Sequence, residues 1–170
     1  RRMSWLRRRI AEVQVAFMLL TRLPAGRLEG VVPELSAAKW AFPLAGLVVG
    51  GSLAGVYIAM NSLGLPAELA AILALGAGML MTGGLHEDGL ADCADGFYGG
   101  QSRDQKLAIM RDSRVGSYGV LALILVIAAR IMALAALPAT AQSLVSLISL
   151  AMVSRLMMVV YLNWSPSARA

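Results

Sequence analysis

Four apolar stretches of membrane length decide what this chain can fold into: Trp40 to Met60, Ala67 to Thr82, Tyr118 to Leu137 and Leu144 to Trp164. A helix needs about 20 residues to cross the hydrocarbon layer, and the second stretch is the shortest of the four. No water reaches backbone N–H and C=O groups inside that layer, so such segments cross as helices that bond their own backbone. Composition agrees, with 58% of the 170 residues hydrophobic and 15% charged. The expected fold is therefore all-α, a polytopic integral membrane helical bundle forming one domain over 1–170, with a cytoplasmic active-site segment at 83–117. No repeat and no linker divides it.

Residues 10–23 (IAEVQVAFMLLTRL) are too short to span and carry Glu12, Gln14 and Arg22, which suits an interfacial or re-entrant helix. Arg1, Arg2, Arg7, Arg8 and Arg9 ahead of this run also fit a signal peptide, but Glu12 and Gln14 interrupt it and no small-x-small cleavage site follows. Orientation follows from the basic residues. The turns at 61–66 and 138–142 hold no Lys or Arg, whereas the N-terminal arm, Lys39, the 83–117 segment and Arg169 hold nearly all of them, which places the latter group on the cytoplasmic side. The net charge of +5 is then a topology signal with anionic lipid contact and gives no reason to expect a nucleic-acid partner.

"GLVVGGSLAG" in the first span provides Gly46 with Gly50 and Gly51 with Gly55, small-xxx-small pairs that admit a neighbouring helix closely. The ten Met residues need no function beyond filling apolar volume. Arg130 and Arg155 are different, because each sits deep in a span where an unpaired cation is expensive. Each must face a protein interior, a wet cavity or an anionic partner.

The stretch "GGLHEDGLADCADGFYGG" (83–100) concentrates the chemistry. On a helix, Asp88, Asp92 and Asp95 fall at i, i+4 and i+7, so their carboxylates share one stripe. Like charges so placed repel, and they persist when a cation neutralises them. Oxygen-only ligands suit a hard ion, Mg²⁺ or Mn²⁺, over zinc. Gly89 and Gly96 flank the stripe and leave room for a ligand or a second helix. His86 with Glu87 lacks the second histidine of a zinc-protease H-E-x-x-H, since residue 90 is Leu90. His86 remains a candidate base or phosphate ligand; Glu87 points off the stripe and reads as solvated, and Cys93 as a small apolar filler.

Arg103, Lys106, Arg111 and Arg114 follow, interleaved with Asp104 and Asp112. Cations beside a carboxylate–metal centre fit a polyphosphate whose charge must be spread during transfer. There is no P-loop sequence, no G-x-G-x-x-G and no G-x-S-x-G elbow. The residues alone point to membrane-embedded, divalent-metal-dependent chemistry on a phosphate ester or anhydride. The competing classes are a divalent-cation membrane transporter, which would be expected to place its acids inside the spans, and a purely structural subunit.

"FMLLTRLP" (17–24), "FPLAGLVVG" (42–50), "TGGLHEDGLADCADGFYGG" (82–100) and "IMRDSRVGSYGVLAL" (109–123) resemble, in the same order, the motifs of the adenosylcobinamide-GDP ribazoletransferase (cobalamin synthase) family. The resemblance implies a transferase that joins adenosylcobinamide-GDP to α-ribazole or its 5′-phosphate with release of GMP, requires Mg²⁺, and sits in the bacterial inner membrane. The resemblance locates the site without assigning roles within it; read from their chemistry, Asp88, Asp92 and Asp95 hold Mg²⁺, Asp112 completes the metal site or accepts the hydroxyl proton, His86 is the other candidate base, and Arg103, Lys106, Arg111, Arg114 and Arg155 bind substrate. It also leaves room for a homo-oligomer or for association with other enzymes of nucleotide-loop assembly. Family members continue beyond the "SPSARA" at which this sequence stops and often carry an aliphatic residue at the position of Glu87, so the chain is expected to be incomplete at its C-terminus and Glu87 to be dispensable.

Overall fold

A computed structural model describes residues 4–28 and 30–166. Arg1, Arg2 and Arg169 of the basic groups named above lie outside the described residues. Every regular element among the described residues is helical, as the composition requires.

The first helix, α1 (Trp5–Leu20), begins earlier than the apolar run because Ser4 accepts a side-chain hydrogen bond from the Arg7 N–H, capping the N-terminus ahead of the basic residues. Glu12 is its anchor. The carboxylate is 1% exposed and accepts hydrogen bonds from Trp40 Nε1 (2.7 Å), Arg8 Nε (3.0 Å) and Arg9 Nη1 (2.7 Å). The Trp40 indole bond, then Arg9 and Arg8, hold its carboxyl below the usual value of 4.5 against the opposing effect of burial. The residue that breaks the apolar run therefore ties α1 to the entrance of the next span.

After α2 (Leu35–Ala38) and a 3₁₀ turn, α3 (Phe42–Ser62) opens on Pro43 and crosses. A tight turn returns the chain as α4 (Ala67–Thr82), which ends at the residues expected from hydropathy. Two later spans, α7 (Ser117–Ala135) and α8 (Ala141–Trp164), pack against α4 and α3. By length and apolarity α7, α8 and the segment ending in α3 each suffice to cross a membrane. The 16-residue α4 passes only together with the helix that follows it, α5 (Leu85–Gly99), from which it is bent by 89°. Gly83 and Gly84 make that bend, with φ of 68° and 71°, a left-handed pair that side chains with a Cβ resist.

Helices α3 and α8 run antiparallel in closest contact. A Cβ on Gly46 would lie 2.6 Å from the Ala151 carbonyl oxygen, and one on Gly50 would lie 2.7 Å from Ala151 Cβ, so the backbones touch where only hydrogen fits. Gly51 and Gly55 have nothing within 4 Å; of the two small-residue pairs, only the first packs within the described residues. At the opposite end of α3, Tyr57 is buried among Ala70, Ala71, Ala74, Leu75 and Leu134, and its hydroxyl donates to the Leu137 carbonyl at 2.8 Å. The outer faces of α7 and α8 remain apolar and exposed, Leu125 at 70% and Met157 at 57%, as suits surfaces solvated by hydrocarbon.

Gly50→Leu should separate α3 from α8 and cost about 1–3 kcal/mol or more by overpacking, measured as a lower denaturation midpoint in detergent, while Gly51→Leu leaves the midpoint nearly unchanged. The Glu12 carboxylate, whose folded-state pKa is depressed, contributes stability above the ordinary carboxyl value that is lost as pH falls through its folded value. Glu12→Gln should accordingly flatten the acid limb of the stability–pH curve below about pH 4.5; an unchanged acid limb would show that the Trp40 and arginine bonds do not hold α1.

Candidate active site

The segment 83–117 is helical through most of its length. Its first helix, α5, lies antiparallel along the spanning helix α7, and three contacts set the register. The Asp95 carboxylate accepts hydrogen bonds from the Gly116 N–H (2.7 Å) and the Gly119 N–H (2.9 Å), satisfying the open donors at the N-terminus of α7 as an N-capping acid does. One turn back on α5, Ala91 packs on Gly119, where an added Cβ would come 3.0 Å from the Ala91 carbonyl. Two turns back, Glu87 Oε1 accepts a hydrogen bond from Arg130 Nη1 at 2.9 Å. The second short helix, α6 (Arg103–Ile109), starts at a capping box formed by Ser102 and Gln105 and packs against Gly96, where a Cβ would collide with Met110. Of the two flanking glycines, Gly96 thus admits a helix, and Gly89 faces open space.

The expected solvated position of Glu87 is corrected by this arrangement. One carboxylate oxygen is paired with Arg130, and the other is buried without a partner. Its partner stands 43 residues along the chain, so no local spacing announces it. Cys93, read as filler, is exposed.

Asp88 is exposed and Asp92 half-buried on the outer stripe of α5. Loss of solvent, and then the negative charges of Asp88 and Asp95, push the Asp92 carboxyl above its ordinary value, which places the three acids within each other's electrostatic reach. Carboxylate oxygens suit a hard divalent cation in charge and chemistry. Among the described residues, no group of three or more His, Cys, Asp or Glu side chains stands at metal-holding spacing. Asp88 and Asp92 are the pair left open, since both oxygens of Asp95 serve α7.

A cavity of about 610 Å³ opens beside Asp88, bordered by Thr21, Arg22, Thr82 and Glu87. Arg22, on the segment after α1, reaches it because its N–H donates to the Met81 carbonyl at 2.6 Å and its side chain lies against Gly83. Arg22 was visible in the sequence as a charge in the 10–23 run and as part of "FMLLTRLP"; its place at one cavity with Asp88 was not. The basic series is elsewhere. Asp112 and Arg114 are exposed and engage each other, with Arg114 Nη2 2.6 Å from Asp112 Oδ2, and Arg114's side-chain and backbone hydrogen bonds hold the Asp112 carboxyl below its ordinary range. That makes Asp112 a weaker base than a free carboxylate. Lys106 stacks over the Phe97 ring at 5.4 Å, and Arg103 and Arg111 are exposed. His86 turns to the other side of Glu87, into a second cavity shared with Arg130 and Arg155. The two base candidates are therefore not brought together.

A family model, cobalamin-5-phosphate synthase, matches residues 12–170. The chain belongs to that family. A Bradyrhizobium diazoefficiens protein named adenosylcobinamide-GDP ribazoletransferase is 50% identical over 133 residues, covering 78% of this chain and 51% of the relative. Proteins of the same name from Azorhizobium caulinodans (44% identical, 95% of this chain, 63% of the relative) and Xanthobacter autotrophicus (50% identical, 78% and 52%) are similarly close. The chain thus spans between half and two thirds of the length of these curated relatives. No solved structure matches it. The cobalamin-5-phosphate synthase family gives no support to the cation-transporter class that the acidic stretch also admitted.

Asp95→Leu should release the start of α7, exposing the Gly116 and Gly119 amides. Hydrogen exchange at those two amides should accelerate by about tenfold or more, the equivalent of losing charged hydrogen bonds; unchanged protection would mean that Asp95 does not hold α7.

Proposed function

We propose that this protein, as its family relatives are named, is an adenosylcobinamide-GDP ribazoletransferase of the bacterial inner membrane, with α5 and α6 at the cytoplasmic face. The observation that carries the reading is Asp88, one turn from Asp92 on a helix docked against a spanning helix, bordering a cavity that also holds Arg22. The family match and the absence of Lys and Arg from the turns at 61–66 and 138–142 support it further.

In this reading a ribose hydroxyl of α-ribazole, or of its 5′-phosphate, attacks the phosphoryl group on the corrinoid side of the pyrophosphate of adenosylcobinamide-GDP. The new O–P bond forms as the bond to the GMP oxygen breaks, the hydroxyl proton passes to a base, and GMP departs. Asp88 and Asp92 would hold Mg²⁺, which supplies charge neutralisation for the pyrophosphate. Arg22 binds a pyrophosphate oxygen from across the cavity. Asp95 keeps the stripe in place by its bonds to α7. Of the two base candidates, neither His86 nor Asp112 borders the cavity beside Asp88, and the proton is assigned to neither. Arg103 and Lys106 on α6, with Arg111 and Arg114 in the turn that follows it, meet the departing GMP.

The test combines the intact purified protein with Mg²⁺, adenosylcobinamide-GDP and α-ribazole and follows cobalamin and GMP. Asp92→Asn should lower turnover by at least about a hundredfold, on the scale of losing a group that stabilises transition-state charge, with unchanged insertion and thermal midpoint. Undiminished GMP release by the folded variant would remove the aspartate stripe from the mechanism.

A further inference from the structure

The second cavity has a makeup that the reaction at Asp88 does not use. It is a half-open cavity of about 530 Å³ between α3, α4, α7 and α8, within the range of about 300–1,000 Å³ typical of small-molecule sites. Most of its wall is aliphatic, with Val49, Leu53, Leu75, Leu134 and Leu147 among its members. One end is polar. There His86, Glu87, Arg130, Ser154 and Arg155 converge.

The polar end is not satisfied from within. Among the described residues, His86 Nε2, Glu87 Oε2 and Arg155 Nε are the buried side-chain atoms without a hydrogen-bond partner, and all three belong to this cavity. Arg130 spends its Nη1 on Glu87 Oε1, and Arg155 gives its Nη1 to Ser154 Oγ at 2.9 Å. Two arginines therefore face one carboxylate, leaving a positive charge over at a depth where unpaired cations are expensive. Each orphaned buried group is destabilising until a partner arrives. The missing partner must bring an anionic acceptor for Arg155 and a hydroxyl donor for Glu87 Oε2, joined to a compact apolar body. A phosphorylated riboside of an apolar base has these parts.

We propose that this cavity is the binding site for α-ribazole 5′-phosphate, with the benzimidazole base among the aliphatic side chains, the phosphate at Arg155 and His86, and a ribose hydroxyl on Glu87. This rests on the transferase reading above and adds to it which substrate lies where. Glu87 and Thr82 border both cavities, so a hydroxyl held by Glu87 stands at the partition beyond which Asp88 lies. Glu87 then acts as a substrate-positioning residue and not as a dispensable one.

The experiment measures equilibrium binding of α-ribazole 5′-phosphate and of α-ribazole to the intact protein in phosphatidylcholine nanodiscs without corrinoid, followed by steady-state kinetics. Arg155→Gln should weaken the phosphate by about tenfold or more, the loss of a charge-assisted bond, and α-ribazole by less than about threefold. Ala133→Phe, which fills the cavity from a wall position that is itself exposed, should weaken both ligands about tenfold and raise the KM for the ribazole substrate while leaving that for adenosylcobinamide-GDP in place. Unaltered ribazole binding in both folded variants overturns the assignment even if the wild-type protein makes cobalamin. Ribazole binding that responds to both variants in a protein that makes no cobalamin supports the cavity and sinks the transferase reading instead. The same phosphate chemistry could come from lipid, so phosphatidylglycerol is added to the nanodiscs as a competitor. Displacement of α-ribazole 5′-phosphate by a few lipids per disc would assign the cavity to lipid and overturn the proposal.

Discussion

The ion pair between Glu87 and Arg130 decides how the aspartate-bearing helix lies against the spanning bundle. Arg130 stands 13 residues into α7, far from the end at which Asp95 caps the same helix. With one contact at each end, α5 cannot rotate on α7, and its remaining acids keep one orientation. An arginine at that depth is tolerated because a carboxylate meets it. The pair therefore settles two problems together, the neutralisation of an intramembrane cation and the aim of the acid stripe.

Around this pair the chain divides polar from apolar work sharply. α3 and α8 meet through backbone at Gly46 and Gly50, and the Tyr57 hydroxyl bonds the Leu137 carbonyl at the far end. The charged groups that enter the bundle gather where α4 breaks. Gly83 and Gly84 turn the chain by 89°, and this turn places Glu87 between two cavities, one with Arg22 and Asp88 and the other with His86, Arg130 and Arg155. The glycines do not act on a ligand; they bring residues of three separate helices to one partition.

Much of this was legible in the sequence because hydropathy reports directly on burial in lipid. The ends of α4 agree residue for residue with the apolar run, and α7 begins one residue earlier than expected. The i, i+4, i+7 spacing of the aspartates also survives as a helical stripe on α5. What the sequence concealed were partners distant along the chain. Glu87 reads as solvated when only its own helix is considered, and its pairing with Arg130 depends on α5 folding back along α7. Glu12 reads as a defect in an apolar run, whereas Trp40 and two arginines make it the attachment point of α1. Asp95 shares a stripe with Asp88 and Asp92, yet the glycine N–H groups of α7 take up both its oxygens, which no periodicity could indicate. Asp112 and Arg114, two residues apart, pair with each other and stand outside both cavities.

The account stands on the coupling between positions 87 and 130, and a double-mutant cycle measures it directly. Glu87→Arg and Arg130→Glu should each destabilise the intact protein in detergent, and the two together should recover much of the loss, with an interaction energy of at least about 1 kcal/mol. Strictly additive effects would contradict it, because α5 would then owe its position on α7 to something other than this pair.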